Sequence, residues 1–136
     1  RDTRIATCPI GYSDGYPHRL THKAEVLIRG RRCPVVGKVM MDYILVDVGA
    51  VGESQVGDEV TLIGRDGLEE IRVEELARHV GTLPYEITCG LGRRVKRIYV
   101  ESDSQPSFAA FSGGATEGGP STVNSQQSTV DKQIVA

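Results

Sequence analysis

Over the first hundred residues the apolar positions come in short runs, not in the long amphipathic stretches of a helical protein. Arg4 to Ile10, Ala24 to Ile28, Arg31 to Val36 and Tyr43 to Val48 alternate or run apolar with β-branched residues, and Glu59 to Ile63 and Val95 to Val100 repeat the pattern. Such runs fit a pleated, half-buried surface and predict strands. Between them, Arg29-Gly30, Val56-Gly57-Asp58 and Asp66-Gly67 carry the glycine or aspartate that tight turns require. One segment departs from this: Val73 to Val80 places apolar residues at i, i+3, i+4 and i+7 and stops at Gly81, which predicts one short helix. Its early Glu74 and Glu75 and late Arg78 and His79 complement the helix dipole. The expected class is mainly β, a small barrel-like or sandwich domain over residues 1–100 without βαβ units.

From Glu101 the text changes to a stretch rich in Ser, Gly, Gln and Thr, with little apolar periodicity. Residues 101–136 are therefore expected to be a disordered low-complexity tail, with Phe108-Ala109-Ala110-Phe111 as its one apolar island.

Composition narrows the function classes. Hydrophobic residues are 39% and charged residues 25%, and the formal net charge is −2, so no charge excess points to nucleic acid or an anionic membrane. No apolar run reaches the roughly 20 residues a membrane helix needs, and nothing after Arg1-Asp2-Thr3-Arg4 reads as a signal-peptide core. Cys8, Cys33 and Cys89 are odd in number and form no CxxC pair, which favours reduced thiols and a cytoplasmic location over a disulfide frame or a zinc site.

Most candidate chemistry dissolves on inspection. His18 and His22 are four apart, but Pro17 and the surrounding turn residues place them in a loop, so no metal is expected. Ser13, His18 and Asp14 supply the residue types of a hydrolytic triad without a GxSxG elbow. The glycines form neither GxGxxG nor a Walker A loop. The basic clusters Arg29-Gly30-Arg31-Arg32 and Arg93-Arg94-Val95-Lys96-Arg97 lack interleaved aromatics and read as solvated strand faces or a protein interface. Two segments remain. Gly11 to Pro17 sets Tyr12 and Tyr16 on a Gly/Asp turn just after an apolar strand, and Gly37 to Tyr43 sets Lys38, Asp42 and Tyr43 around Met40 and Met41.

Taken in order, PIGYSDGY, EVLIRGRRCPVVGKVMMDYILVDV, VGDEVTLIG and EELARHVGTLPYEITCGLGRRVKRIYV make residues 4 to 100 resemble the C-terminal domain of the alanine racemases. The resemblance implies a homodimer in which an N-terminal (β/α)8 domain holds pyridoxal phosphate on a lysine, while the C-terminal β domain helps to close the active site. Tyr85, in LPYE, resembles the tyrosine whose hydroxyl binds the cofactor phosphate of its own subunit. Tyr12 resembles a tyrosine lining substrate access to the partner subunit's site, and Met41 the residue whose backbone N–H meets the substrate carboxylate. Asp42 resembles an acid of the access corridor.

By the same resemblance the two proton-transferring groups, the cofactor lysine and a tyrosine upstream of Arg1, are expected outside this chain, and the isolated chain is expected to be inactive. His18 and Lys38 stand where many relatives carry arginine in that corridor, which opens the substrate to serine or lysine besides alanine. The expected activity is alanine racemisation for peptidoglycan. Its rival is a stand-alone small-barrel binding module, since a fold alone does not fix a function.

Overall fold

The computed structural model describes residues 2–99. Six strands carry the fold: β1 (Ile5–Cys8), β2 (Glu25–Ile28), β3 (Arg31–Val36), β4 (Ile44–Asp47), β5 (Gly64–Asp66) and β6 (Glu69–Ile71), followed by helices α1 (Val73–Val80) and α2 (Pro84–Cys89). The first four form an antiparallel sheet in the order β1-β4-β3-β2, and β5 and β6 form a separate hairpin. The domain is mainly β as expected. Among the described residues the recorded strand pairing forms these two sheets and not a closed ring.

The β2–β3 hairpin follows directly from its turn. Arg29 and Gly30 both take positive φ, 51° and 70°, between the paired residues Ile28 and Arg31. Positive φ at both loop positions matches the right-handed twist of the flanking strands. This register turns Val26 and Ile28 into a core that also holds Leu20, Ile44, Val46 and Ile71, all buried.

Two strand expectations need correction. Over residues 59–63 the pairing shrinks to one bridge, in which Thr61 and Leu27 exchange both backbone hydrogen bonds. The ladder cannot continue because Gly64, at φ 125°, turns the chain into the β5–β6 hairpin. Residues 95–99 are likewise no strand, although Lys96 lies in a bridge; Val95 is buried and its N–H closes a turn onto the Gly92 carbonyl.

The helix over Val73–Val80 forms as predicted, with Gly81 at φ 77° closing its end by donating to the Ala77 carbonyl. It is not the only helix. Pro84 opens α2, whose one buried residue is Ile87, so the segment offers no apolar period to read. Two 3-10 turns, Tyr12–Asp14 and His18–Leu20, complete the helical elements among the described residues.

Arg32, expected on a solvated face or an interface, is instead an internal tie. Its guanidinium meets Glu25 of β2 at 3.0 Å, Glu69 of β6 at 3.0 Å and Glu75 of α1 at 2.8 Å. One side chain thus holds the hairpin and the helix against the main sheet. The tail expected to be disordered, 101–136, lies outside the described residues.

Candidate functional site

The two segments that sequence chemistry singled out are brought together by backbone bonds. The N–H of Tyr12 donates to the Met40 carbonyl and that of Ser13 to the Met41 carbonyl, each at 3.0 Å. This approach requires Gly11, since a Cβ there would sit 2.3 Å from both the Met40 and Met41 carbonyl oxygens. Gly15, at φ 99°, plays a similar part on the other side, where a Cβ would fall 2.2 Å from the Gly90 carbonyl. The turn after β1 is therefore wedged between the β3–β4 loop and the end of α2.

Side chains lock the junction. Asp14 is fully buried (0% exposed), and its carboxylate accepts the Gly11 N–H at 3.0 Å and the Arg94 Nε–H at 3.1 Å. A buried charge persists only when it is paired. Arg94 Nη2 also donates to Ser13 Oγ at 2.7 Å and to Asp42 Oδ1 at 2.8 Å, and Ser13 Oγ donates to the Met41 carbonyl at 2.7 Å. The Asp42 carboxylate, with Asp14 behind it, holds the Arg94 guanidinium more firmly protonated than an ordinary arginine.

The result is a rigid base carrying an apolar, solvent-facing rim. Tyr12, Met40, Met41 and Tyr43 are all exposed, and His18 sets its ring edge-on to Tyr12 with centroids 6.2 Å apart. Lys38 is exposed on the same loop as Met41. While the Met41 carbonyl accepts two bonds, its N–H donates to no acceptor among the described residues. Tyr85 stands on α2, 78% exposed.

Of the residues expected in the site, Tyr12, Met41, Asp42 and His18 are thus assembled around one junction, Lys38 lies on its loop, and Tyr85 projects from the helix whose end abuts Gly15. Tyr16, the second tyrosine of the turn, belongs to the core instead: burial pushes its phenol pKa up, and its hydroxyl has no hydrogen-bond partner among the described residues. Arg94 and Asp14 were missed as site residues because one sat in a generic basic run and the other in a turn. The Gly90-Leu91-Gly92 stretch before Arg93-Arg94 was the available signal, since Gly92 donates to the Asp14 carbonyl at 2.8 Å.

A phosphate-bearing cofactor fits these residues at its edge only. Tyr85 is exposed and carries a hydroxyl of the kind that hydrogen-bonds phosphate, but Lys38 and Lys96 are exposed on the surface and Lys23 lies 3.5 Å from the His79 carbonyl. None of these three amines is enclosed as a covalent anchor for a cofactor would be. No helix among the described residues is long and apolar enough to cross a membrane.

Comparison with known proteins agrees with this geometry. Residues 1–99 match the family described as alanine racemase, C-terminal domain. An alanine racemase of Symbiobacterium thermophilum is 59% identical over 99 residues, covering 73% of this chain and 26% of the relative. Among solved structures, the alanine racemase of Bacillus anthracis with bound L-Ala-P aligns with a TM-score of 0.67 at 43% identity, over 74% of this chain and 25% of that one. That of Bartonella henselae with covalently bound pyridoxal phosphate aligns at 0.64 and 36% identity, over 72% of this chain and 28% of that one. The chain spans about a quarter of the length of these relatives. With matching family, fold and motif order, the chain belongs to the alanine racemase C-terminal domain family.

Proposed function

We propose that this chain is the part of a pyridoxal-phosphate-dependent alanine racemase that closes the active site of a partner subunit, in a homodimeric cytoplasmic enzyme supplying D-alanine for peptidoglycan. The observation that carries the reading is the Met41 N–H: it belongs to an exposed residue, has no acceptor among the described residues, and lies between two anchored carbonyls, that of Met40 in the same peptide, which accepts from the Tyr12 N–H, and that of Met41, which accepts from Ser13. A backbone donor held this way orients a carboxylate without adding a titratable group. Tyr12, Met40 and Tyr43 provide an apolar rim that restricts water around it. Tyr85 would hold the cofactor phosphate of its own subunit through its hydroxyl. When bound, pyridoxal phosphate supplies the electron sink for the carbanion at the substrate α-carbon. Proton removal and return fall to a lysine and a tyrosine outside residues 1–136, in the reading the family resemblance gives. His18 and Lys38 set the corridor's charge and thereby bear on the choice among alanine, serine and lysine.

Subunit complementation in the full-length protein tests this. Asp42→Asn should lower alanine turnover with folding nearly intact, and mixing that variant with a partner inactivated at the cofactor lysine should restore activity. In heterodimers of that kind, one site pairs an intact lysine with an intact Asp42 across the interface. No recovery in dimers shown to exchange subunits would place Asp42 in its own subunit's site, and absence of alanine turnover in the unaltered full-length protein would remove the racemase reading itself.

A further inference from the structure

We infer that Arg94 is the positioning residue that fixes the Met41 N–H and offsets the charge of Asp42 beside it, so that the site can accept an anionic carboxylate. The inference rests on the proposed function and goes beyond it, because Arg94 need not touch substrate or cofactor.

Three segments far apart in the chain meet at its guanidinium. One end is anchored: Nε and Nη2 reach the buried Asp14 carboxylate at 3.1 and 2.9 Å. The same Nη2 also faces outward, meeting the exposed Asp42 at 2.8 Å and Ser13 Oγ at 2.7 Å. Ser13 in turn clasps the Met41 carbonyl by its hydroxyl at 2.7 Å and its backbone N–H at 3.0 Å. The Met41–Asp42 peptide is therefore tied through Ser13 and Asp42 to a fixed point in the domain's interior, and the preceding peptide, which carries the Met41 N–H, is held from the same turn by the Tyr12 N–H bond to the Met40 carbonyl. The Arg94 backbone is held too, by the turn between Gly92 and Val95 and by the Gly92 bond to Asp14. A planar fork can serve several oxygens at fixed angles, which the point charge of a lysine cannot.

Charge adds a second effect. Asp42 follows Met41 directly, so an unpaired carboxylate there would repel an anion approaching the Met41 N–H. Arg94 places a positive charge on that carboxylate at hydrogen-bonding distance.

Two measurements test this, one independent of any enzymatic activity. Amide exchange followed residue by residue in the 136-residue chain should show the Tyr12 and Ser13 N–H groups exchanging about tenfold faster in Arg94→Lys, and faster still in Arg94→Ala. The amides of Leu27 and Thr61, each donating to the other residue's carbonyl in their bridge, should change little and serve as the reference. Equal change at all four amides, or at none, would overturn the positioning role, and Arg94→Lys preserves the test if Arg94→Ala does not fold. In the full-length enzyme, both variants should raise KM for alanine about tenfold, with a smaller change in kcat. Added salt should lower the raised KM of Arg94→Ala by screening Asp42, a response that a purely structural defect would not give. An unchanged KM alongside faster Tyr12 and Ser13 exchange would refute the link to substrate. If the unaltered enzyme turns over no alanine while the exchange result holds, the racemase reading fails and the anchoring of Met41 by Arg94 stands.

Discussion

Replacing Gly11 with alanine isolates the contact on which the candidate site depends. The added Cβ would lie 2.3 Å from the Met40 and Met41 carbonyl oxygens and 2.5 Å from the Met41 carbonyl carbon. An unstrained carbon–oxygen contact is about 3.3 Å or more, so the turn must retreat from the loop by roughly 1 Å. The Tyr12 and Ser13 N–H bonds, both 3.0 Å long, are then stretched beyond hydrogen-bonding range. Losing the two bonds costs about 1 kcal/mol each, and the forced backbone shift about 1–3 kcal/mol. The narrower unfolded ensemble of alanine returns only about 0.4–1 kcal/mol. The net loss is on the order of 3 kcal/mol, which for a domain of this size lowers the melting temperature by roughly 10–20 °C. Thermal unfolding followed by circular dichroism measures this, and amide exchange at Tyr12 and Ser13 locates it. If Gly11→Ala melts within about 2 °C of the unaltered chain and both amides stay protected, the close approach of the two loops is wrong. The account of the site built on that approach would go with it.

The Arg32 tie predicts a pH-dependent loss. The Glu75 carboxyl is held below its ordinary value, first by the hydrogen bond from Arg32, so its contribution to stability is present above the unfolded-state pKa and is lost as pH falls through the depressed folded value. Arg32→Met should therefore cost about 1–2 kcal/mol in urea unfolding at neutral pH, and the cost should fall as pH is lowered beneath the ordinary carboxylate range; a cost that stays constant down to the acid unfolding of the domain would refute the assignment. Thiol reactivity checks the core independently. Burial, with Cys33 nearby, pushes the Cys8 thiol up to about 11, and burial raises Cys33 as well, whereas Cys89 is exposed. A thiol reagent at pH 8 should modify Cys89 rapidly in the native chain and reach Cys8 and Cys33 only after denaturation. Fast native labelling of Cys8 would mean that β1 is not packed as described.

How far the sequence reached depended on the range of the interactions involved. Strands β1 to β4 were legible because alternation and β-branched residues act within a few positions, and the β2–β3 hairpin because Arg29-Gly30 supplies two positive φ values by local chemistry. Helix α1 and its Gly81 stop were legible for the same reason. The resemblance carried by GYSDGY, VMMDY and LPYE likewise pointed to Tyr12, Met41, Asp42 and Tyr85.

What the sequence left undecided required contacts between distant segments. Residues 59–63 carry the β pattern, yet among the described residues a pairing partner is available only at Leu27, and Gly64 diverts the chain before a ladder can grow. Helix α2 has too short an apolar face to show a period, and packing on α1 makes it stable. The tertiary structure alone separated Tyr12 from Tyr16, one on the rim and one in the core, although they share one turn. It alone brought Arg94 to Asp14 across 80 positions and to Asp42 across 52. Residue types and local geometry are encoded by near neighbours, whereas the pairing of a buried carboxylate is settled only when folding removes its water and brings a cation within reach.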